Sequence, residues 1–358
     1  MSAPERALAR IDLGAIERNC AHLVSLLSGD ARLCAVVKAD GYGHGAVWAA
    51  KAALEGGAAW LAVATAAEAE DLRRHGLDCR ILVMGALTRE ELRTAVEAEA
   101  DVVAWSRQLL EEAPAARVHV KLDTGMGRLG TRDRGLASSL ARAQVAGLMT
   151  HFATADEPGD SLFADQLERF ADFVEEVRRL HPEAIAHAAN SAATFRDEAA
   201  HFDMVRCGIA VYGMDPFHDD PASRGLEPAL SLESWVAALR RLEPLESVGY
   251  GRRWRASEPT WVATLPIGYG DGWRRGLSND CDLLIRGRRH PLIGTISMDN
   301  VTVEVGREPE VEIGDPAVLI GRQGRERILA EEVARRLGTI NYEVTCGLSP
   351  RVRRLYVR

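Results

Sequence analysis

Ala35-Val36-Val37-Lys38-Ala39-Asp40-Gly41-Tyr42-Gly43-His44-Gly45 sets a short apolar run against a glycine-rich turn, with a lysine at the join. The run, 33–38, is the first of eight. Others of β type lie at 60–64, 80–84, 101–105, 118–122, 145–151, 184–189 and 204–210. Longer stretches separate them, and in 90–97 and 160–180 apolar residues return at helical spacing. Gly or Pro punctuates the joins. Eight strands alternating with helices predict an α/β protein with an N-terminal (β/α)8 TIM-type barrel over residues 12–225. The same alternation in an open doubly wound sheet is the competing architecture. The run at 184–189 is the weakest strand of the eight, because alanine dominates it.

The barrel pattern stops at Asp215-Pro216-Phe217-His218-Asp219-Asp220-Pro221-Ala222-Ser223-Arg224-Gly225, which is dense in turn residues and charge. Beyond it the strand-like runs 261–267, 282–285, 291–296, 301–305 and 317–320 are closely spaced, and 328–337 alone reads as helix. Residues 226–358 therefore predict a mostly-β C-terminal domain.

Composition narrows the class. A hydrophobic fraction of 47% over 358 residues supports a sizeable core and about two domains. No apolar run approaches the roughly 20 residues that span a bilayer, and the N-terminus lacks an apolar signal segment, so no membrane partner is expected. A formal net charge of −8 argues against nucleic acid as partner. The six cysteines form no CxxC pair and read as buried thiols, with neither a disulfide frame nor a metal site. These features predict a cytoplasmic protein.

Of the 44 lysines and arginines only Lys38, Lys51 and Lys121 are lysine. An amine can lose its proton and attack a carbonyl; a guanidinium cannot. Lys38, kept as lysine at a strand end, is thus the candidate Schiff-base nucleophile. Barrel enzymes carry their chemistry where strands end. There the sequence places His151, Asn190 and Ser191, with Arg206, Gly208 and Ile209 in the eighth run. Small residues at 191–193 and 208–209 let backbone N–H groups approach a phosphate. A phosphate-bearing cofactor opposite a strand-end lysine points to pyridoxal 5'-phosphate. Other roles stay open: His151 as a loop partner, Arg206 as a structural ion-pair partner, and Lys121 as a structural residue within reach of Arg128 across a glycine-rich turn. In the second domain, Tyr250 and Tyr269 are each flanked by glycines, and a tyrosine in such an open turn serves as a base where a nearby cation lowers its pKa.

Together the segments resemble the bacterial alanine racemases. AVVKADGYGHG is similar to the pyridoxal-phosphate attachment segment of that family, and LDTGMGRLG, THFATAD, ANSAA, MVRCGIAVYG, VGYG, LPIGYGDGW, ISMDN and INYEVTCGLSPRV follow in the family's order along nearly the whole chain. The resemblance implies a barrel followed by a β domain, with an N-terminal strand at 6–11 packing on the latter. It implies a homodimer that shares its active sites, and interconversion of L- and D-alanine for peptidoglycan precursors of the cell wall. By matched motif, Lys38 is one catalytic base and Tyr250 of the second subunit is the other. Tyr42, Ser191, Gly208 and Ile209 hold the phosphate, with Asn190 beside them. Arg206 faces the pyridine nitrogen, and His151 links Arg206 to Tyr250. Arg128 and the Met298 backbone receive the substrate carboxylate, Tyr269 lines the entrance, and Lys121 matches a lysine that is often carbamylated. The chain departs from the pattern at Pro350, where some members place a tyrosine whose hydroxyl reaches the phosphate; proline has neither that hydroxyl nor an N–H. A racemase for serine or a broader set of amino acids, and a non-catalytic carrier of the cofactor, are the competing functions.

Overall fold

The computed structural model describes residues 5–112, 115–141 and 145–358. They form two compact units: Ile16–Glu227, and the chain up to Ala15 together with Pro228–Arg358.

Strand β1 (Leu8–Asp12) belongs to the second of these. The first is an eight-stranded parallel barrel: β2 (Arg32–Val36), β3 (Trp60–Val63), β4 (Arg80–Val83), β5 (Asp101–Ala104), β6 (Val118–Lys121), β7 (Gly147–Met149), β8 (Ile185–His187) and β9 (Met204–Cys207). The ladder runs β8-β7-β6-β5-β4-β3-β2-β9. Between β8 and β9 the ring is closed by two backbone bonds, Asp203 N–H to Ala186 O (3.1 Å) and Arg206 N–H to Ala189 O (2.9 Å). All eight expected runs are strands, each ending one to three residues before the sequence pattern does. Apolar residues continue into the loops because the strand ends still pack on the flanking helices. These strands are buried almost throughout, as parallel strands covered by helices must be. Local rules set the helices too. Thr65 and Glu68 form a capping box at Ala66–Arg74, as do Thr88 and Glu91 at Arg89–Glu97.

The second unit is a ten-stranded sheet. It contains β1, β10 (Leu230–Trp235), β11 (Ala238–Leu242), β14 (Thr260–Leu265), β15 (Asp282–Ile285), β16 (Arg288–Ile293), β17 (Val301–Gly306), β18 (Pro316–Gln323), β19 (Glu326–Ile328) and β20 (Arg353–Val357); β12 (Ser247–Val248) and β13 (Trp254–Arg255) form a separate ribbon. Strand β1 lies between β10, antiparallel, and β20, parallel. Two expectations need correction. The helix Ala330–Leu337 is followed by a second, Asn341–Cys346. Of the six cysteines, Cys79 is half-buried and Cys346 exposed; the other four are buried, and all six are thiols. No helix among the described residues is long and apolar enough to cross a membrane.

Candidate active site

Strand β2 stops at Val36, and the chain then turns the wrong way. Ala39, Asp40, Gly41, Tyr42 and Gly43 all have φ between 51° and 84°. Left-handed geometry costs roughly 1–2 kcal/mol for each residue with a Cβ, so Ala39, Asp40 and Tyr42 need outside support. They have it. Ala39 N–H donates to Glu68 Oε1 (2.7 Å), while Glu68 Oε2 accepts from Ala64 and Thr65 N–H (2.8 and 3.1 Å). Asp40 Oδ1 accepts from Ala46 N–H (2.9 Å). The His44 ring stacks on Tyr212 at 4.5 Å, and Tyr212 donates to Val36 O (3.0 Å). One carboxylate, the helix-capping Glu68, thus ties the Lys38 turn to the neighbouring loop.

Lys38 stands in the field of several cations, of which Lys121 and Arg206 are buried. Lys121 is buried at the end of β6, and burial, then the charges of Arg206 and Arg128, lower its amine to about 8, with Lys38 adding to the effect. Burial, then Arg206, Lys121, Arg128 and Lys38, push His151 well below the ordinary histidine value. The five expected residues Lys38, Lys121, Arg128, His151 and Arg206 are therefore within electrostatic reach of one another. Arg206, buried, donates through Nη2 to Thr150 O (3.0 Å), Ala188 O (3.0 Å) and His151 Nδ1 (3.1 Å), and through Nη1 to His187 Nδ1 (2.9 Å). Burial brings it down to about 10, which still leaves it charged at neutral pH. Arg128 is exposed, and the carboxylate nearest Lys121, Asp123, is engaged by Arg132. In a chain of net charge −8 this is a mouth built for anions.

Beside it lies a cradle. Ser191 Oγ accepts from Gly208 N–H (3.0 Å) and Ala210 N–H (3.4 Å). A Cβ at Gly208 would stand 2.2 Å from Tyr42 Oη, so only glycine permits the tyrosine hydroxyl there. Ile209 opens the short helical turn that follows, Ile209–Tyr212. Hydroxyls, backbone N–H groups and a glycine gap fit a phosphate, and the cations alongside fit the rest of a pyridoxal phosphate. Asn190 has a different observed contact: its Oδ1 caps the helix Ser191–Arg196 through Ala193 N–H (2.9 Å).

Three expected residues cluster in the other unit. Tyr250 stands between Gly249 and Gly251, at φ 72° and 73°, and its carbonyl accepts from Thr295 Oγ1 (2.8 Å). Tyr269 N–H donates to Ser297 O (3.1 Å) and Gly270 N–H to Met298 O (2.9 Å). A side chain at Gly268 would collide with that segment, 2.3 Å from Ser297 O, and one at Gly270 would press on it, 3.1 Å from Met298 O. Tyr250, Tyr269 and Met298 are 74%, 42% and 52% exposed. An ion network stands behind them: buried Asp271 accepts from Gly268 N–H (2.9 Å) and Arg6 (2.6 Å), and Arg351 bridges to Asp299 (2.7 Å).

Sequence reasoning missed Asp101, His119 and His187, all buried among the barrel strands. Their only signal is a polar residue inside an apolar strand, and a satisfied core histidine gives the same signal. It missed Glu68 as well, whose capping-box spacing reveals the helix start and not the bond to Ala39.

Comparison with known proteins gives the family. Residues 11–216 match the family model "Alanine racemase, N-terminal domain" and residues 229–356 "Alanine racemase, C-terminal domain". An alanine racemase of Symbiobacterium thermophilum is 44% identical, over 97% of this chain and 96% of that protein. Alanine racemase 1 of Bacillus subtilis is 40% identical, over 98% and 92%. Among solved structures, the alanine racemase of a D-cycloserine-producing Streptomyces lavendulae superposes with a TM-score of 0.94 at 36% identity, covering 100% of this chain and 98% of that one. The Bacillus anthracis alanine racemase with bound L-Ala-P gives 0.91 at 36%, covering 100% and 96%. The barrel and the strand domain are the two domains of that family, and the chain belongs to the alanine racemases, which are amino-acid isomerases.

Proposed function

We propose that this racemase interconverts L- and D-alanine with pyridoxal 5'-phosphate held on Lys38, moving the proton between two opposed bases in a homodimer. The observation that carries the reading is the convergence of Lys38, Lys121, Arg128, His151 and Arg206 in one mouth beside the Tyr42–Ser191–Gly208 cradle. When bound, the cofactor supplies an electron sink that acidifies the substrate Cα–H. Everything else falls to the chain. Lys38 Nζ takes or returns the proton on one face, and Tyr250 Oη of the partner subunit does so on the other. One base alone would have to swing across the cofactor plane.

Neighbours set the protonation states. Arg206 can only donate, so His151 Nδ1 accepts and its proton sits on Nε2, free to stabilise a phenolate at Tyr250 of the partner subunit. Arg206 would face the ring nitrogen of the cofactor, and a guanidinium, which donates and does not give up its proton, would disfavour a proton there; that choice of residue favours return of the proton to the substrate over transamination. Arg128 and the Met298 backbone hold the carboxylate, and Tyr269 narrows the way in. The Lys121 amine, lowered to about 8, is partly neutral near physiological pH and open to carbamylation, which would place a negative charge to orient Arg128. Asn190 supports the cradle through its cap, beside Ile209. The D-alanine serves peptidoglycan precursor synthesis in the cytoplasm.

The test is incubation of the purified, cofactor-loaded protein with L-alanine and a panel of other L-amino acids, followed by chiral chromatography. D-alanine should form, and borohydride reduction with peptide mapping should place the pyridoxyl label on Lys38. No racemisation of alanine, racemisation by colourless apoprotein, or a label elsewhere overturns the reading. Pro350 is exposed where some members carry a tyrosine, and serine turnover comparable with alanine would assign the broader specificity.

A further inference from the structure

Beneath the mouth, four buried side chains stand in series through the barrel. Arg206 Nη1 meets His187 Nδ1 at 2.9 Å, His187 Nε2 meets His119 Nδ1 at 2.7 Å, and His119 Nε2 meets Asp101 Oδ2 at 2.9 Å. The ends fix the direction. A guanidinium only donates and a carboxylate only accepts. His187 Nδ1 therefore accepts, its Nε2–H donates to His119 Nδ1, and the His119 Nε2–H donates to Asp101. A second proton on either ring would set two donors against each other, so both rings are neutral with the proton on Nε2. Burial pushes His119 below the ordinary histidine value and His187 well below it, in agreement.

Two features show that the series is built. Gly147 lies opposite His119 in the β6–β7 register, and a Cβ there would stand 2.3 Å from His119 Nδ1. The missing side chain is what lets His119 reach across β7 to His187. Asp101 is the first residue of β5, at the opposite end of the strands from Lys38. Burial alone would raise its carboxyl, but hydrogen bonds from His119, Arg80 and Arg117 prevail and hold it at about 2. It stays an acceptor at any pH the enzyme meets.

We propose that Asp101 is a positioning residue for racemisation: through His119 and His187 it locks the acceptor tautomer that holds the Arg206 guanidinium in the place from which it would face the cofactor's ring nitrogen. The proposal rests on the reading that Arg206 faces that ring. An amide at position 101 cannot replace the carboxylate: Oδ1 accepts from Arg80 and Arg117 and Oδ2 from Arg80 and His119, so two donors would meet the NH2 group whichever way it faced. The Oδ2 side costs less, because only there can one of the donors give way: a change of tautomer at His119 turns its Nε2 into an acceptor and passes the conflict to His187, which then denies Arg206 its acceptor.

The test is imidazole 15N–1H correlation NMR on the cofactor-loaded enzyme labelled at histidine, with His119→Gln and His187→Gln for assignment. In the unmodified enzyme both rings should show the pure Nε2–H neutral form from pH 6 to 9, a range set by the experiment. In Asp101→Asn, His187 should lose that signature although it does not touch residue 101, and kcat should fall about tenfold with KM for alanine unchanged. Gly147→Ala breaks the His119–His187 contact without altering a charge and should release His187 in the same way. An Nδ1–H or doubly protonated ring in the unmodified enzyme overturns the proposal whether or not any variant folds. So does a His187 signal unmoved in Asp101→Asn. Failure to label Lys38 would instead overturn the functional reading and leave the tautomers as they are.

Discussion

In the barrel unit Lys121 and Arg206 are buried, and the groups around them are held several times over. Arg206 has four hydrogen-bond acceptors, and the Lys38 turn is pinned by Glu68, Asp40 and Tyr212. In the β unit the corresponding groups lie in the open. Tyr250 is 74% exposed, and what is fixed there is the backbone of its turn. What the barrel unit fixes is a set of side chains; what the β unit fixes is a turn, and the phenol on it is left in the open. On the proposed reading, Lys38 answers to the neighbours in its own unit and Tyr250 to whatever covers it.

The sharpest way to break that contrast is Tyr250→Phe. It removes one hydroxyl from an exposed position, so folding and cofactor content should not change, while racemisation falls about 10²–10⁴-fold, measured by chiral chromatography in both directions. Full retention of activity would mean that the open half contributes no base. Arg206→Glu strikes the barrel half. Racemisation should drop about a hundredfold, because an acceptor replaces the donor that would face the ring nitrogen, and the share of turnovers ending in transamination should rise. Unchanged partitioning would remove Arg206 from control of the outcome. Glu68→Ala tests whether the support of the Lys38 turn matters. Loss of the bond to Ala39 should cost about tenfold in turnover and speed amide exchange over 39–46, with Glu68→Gln restoring both only in part, because its NH2 group would oppose either the Ala39 N–H or those of Ala64 and Thr65; an unchanged exchange pattern in Glu68→Ala would show that the turn holds itself.

Lys121→Met should have the smallest effect on the contrast and the opposite sign for stability. A buried amine lowered to about 8 is neutral in the fold at pH values where the unfolded chain, near 10.5, still binds the proton. Stability thus rises with pH between about 8 and 10.5, and holding the charged form below 8 costs on the order of 2–3 kcal/mol. In bicarbonate-free buffer the methionine variant should resist urea better than the parent at pH 7, and the gain should vanish near pH 10. A gain independent of pH would point to packing alone.

How much of this was legible in the sequence depended on whether a residue's role shows in its neighbours along the chain. The eight barrel strands were readable because fully buried strands are apolar runs bounded by turn residues. In the β domain, 282–285 matched Asp282–Ile285 for the same reason. Strand β10 alternates in burial from Leu230 to Trp235, but the apolar–polar pattern holds only through Leu230-Ser231-Leu232-Glu233 and inverts at buried Ser234 and half-buried Trp235, and the strand follows the charged boundary segment and merges with it. Strands β11 and β20 are arginine-rich, with β1 or β14 as neighbour, and no local pattern reveals them. In the site, the glycines at 41, 43 and 45 announced an unusual turn. That Ala39, Asp40 and Tyr42 share its hand depends on Glu68, which is 29 positions from Ala39. Asp101, His119 and His187 were invisible for the same reason: partners 18 and 68 positions apart leave no spacing to read.

The barrel's seam has a consequence for how the protein fails. Neighbouring strands elsewhere pair in register, but β8 and β9 meet through the Asp203 and Arg206 amides and a bond from Ala186 N–H to the Asp203 carboxylate, and the Arg206 side chain is anchored on the facing edge at Ala188 and His187. Gentle heating should part the ring along this line first. Arg206 would lose its anchors while the remaining seven joints stayed zipped, so catalytic failure should precede any loss of the far-ultraviolet signal.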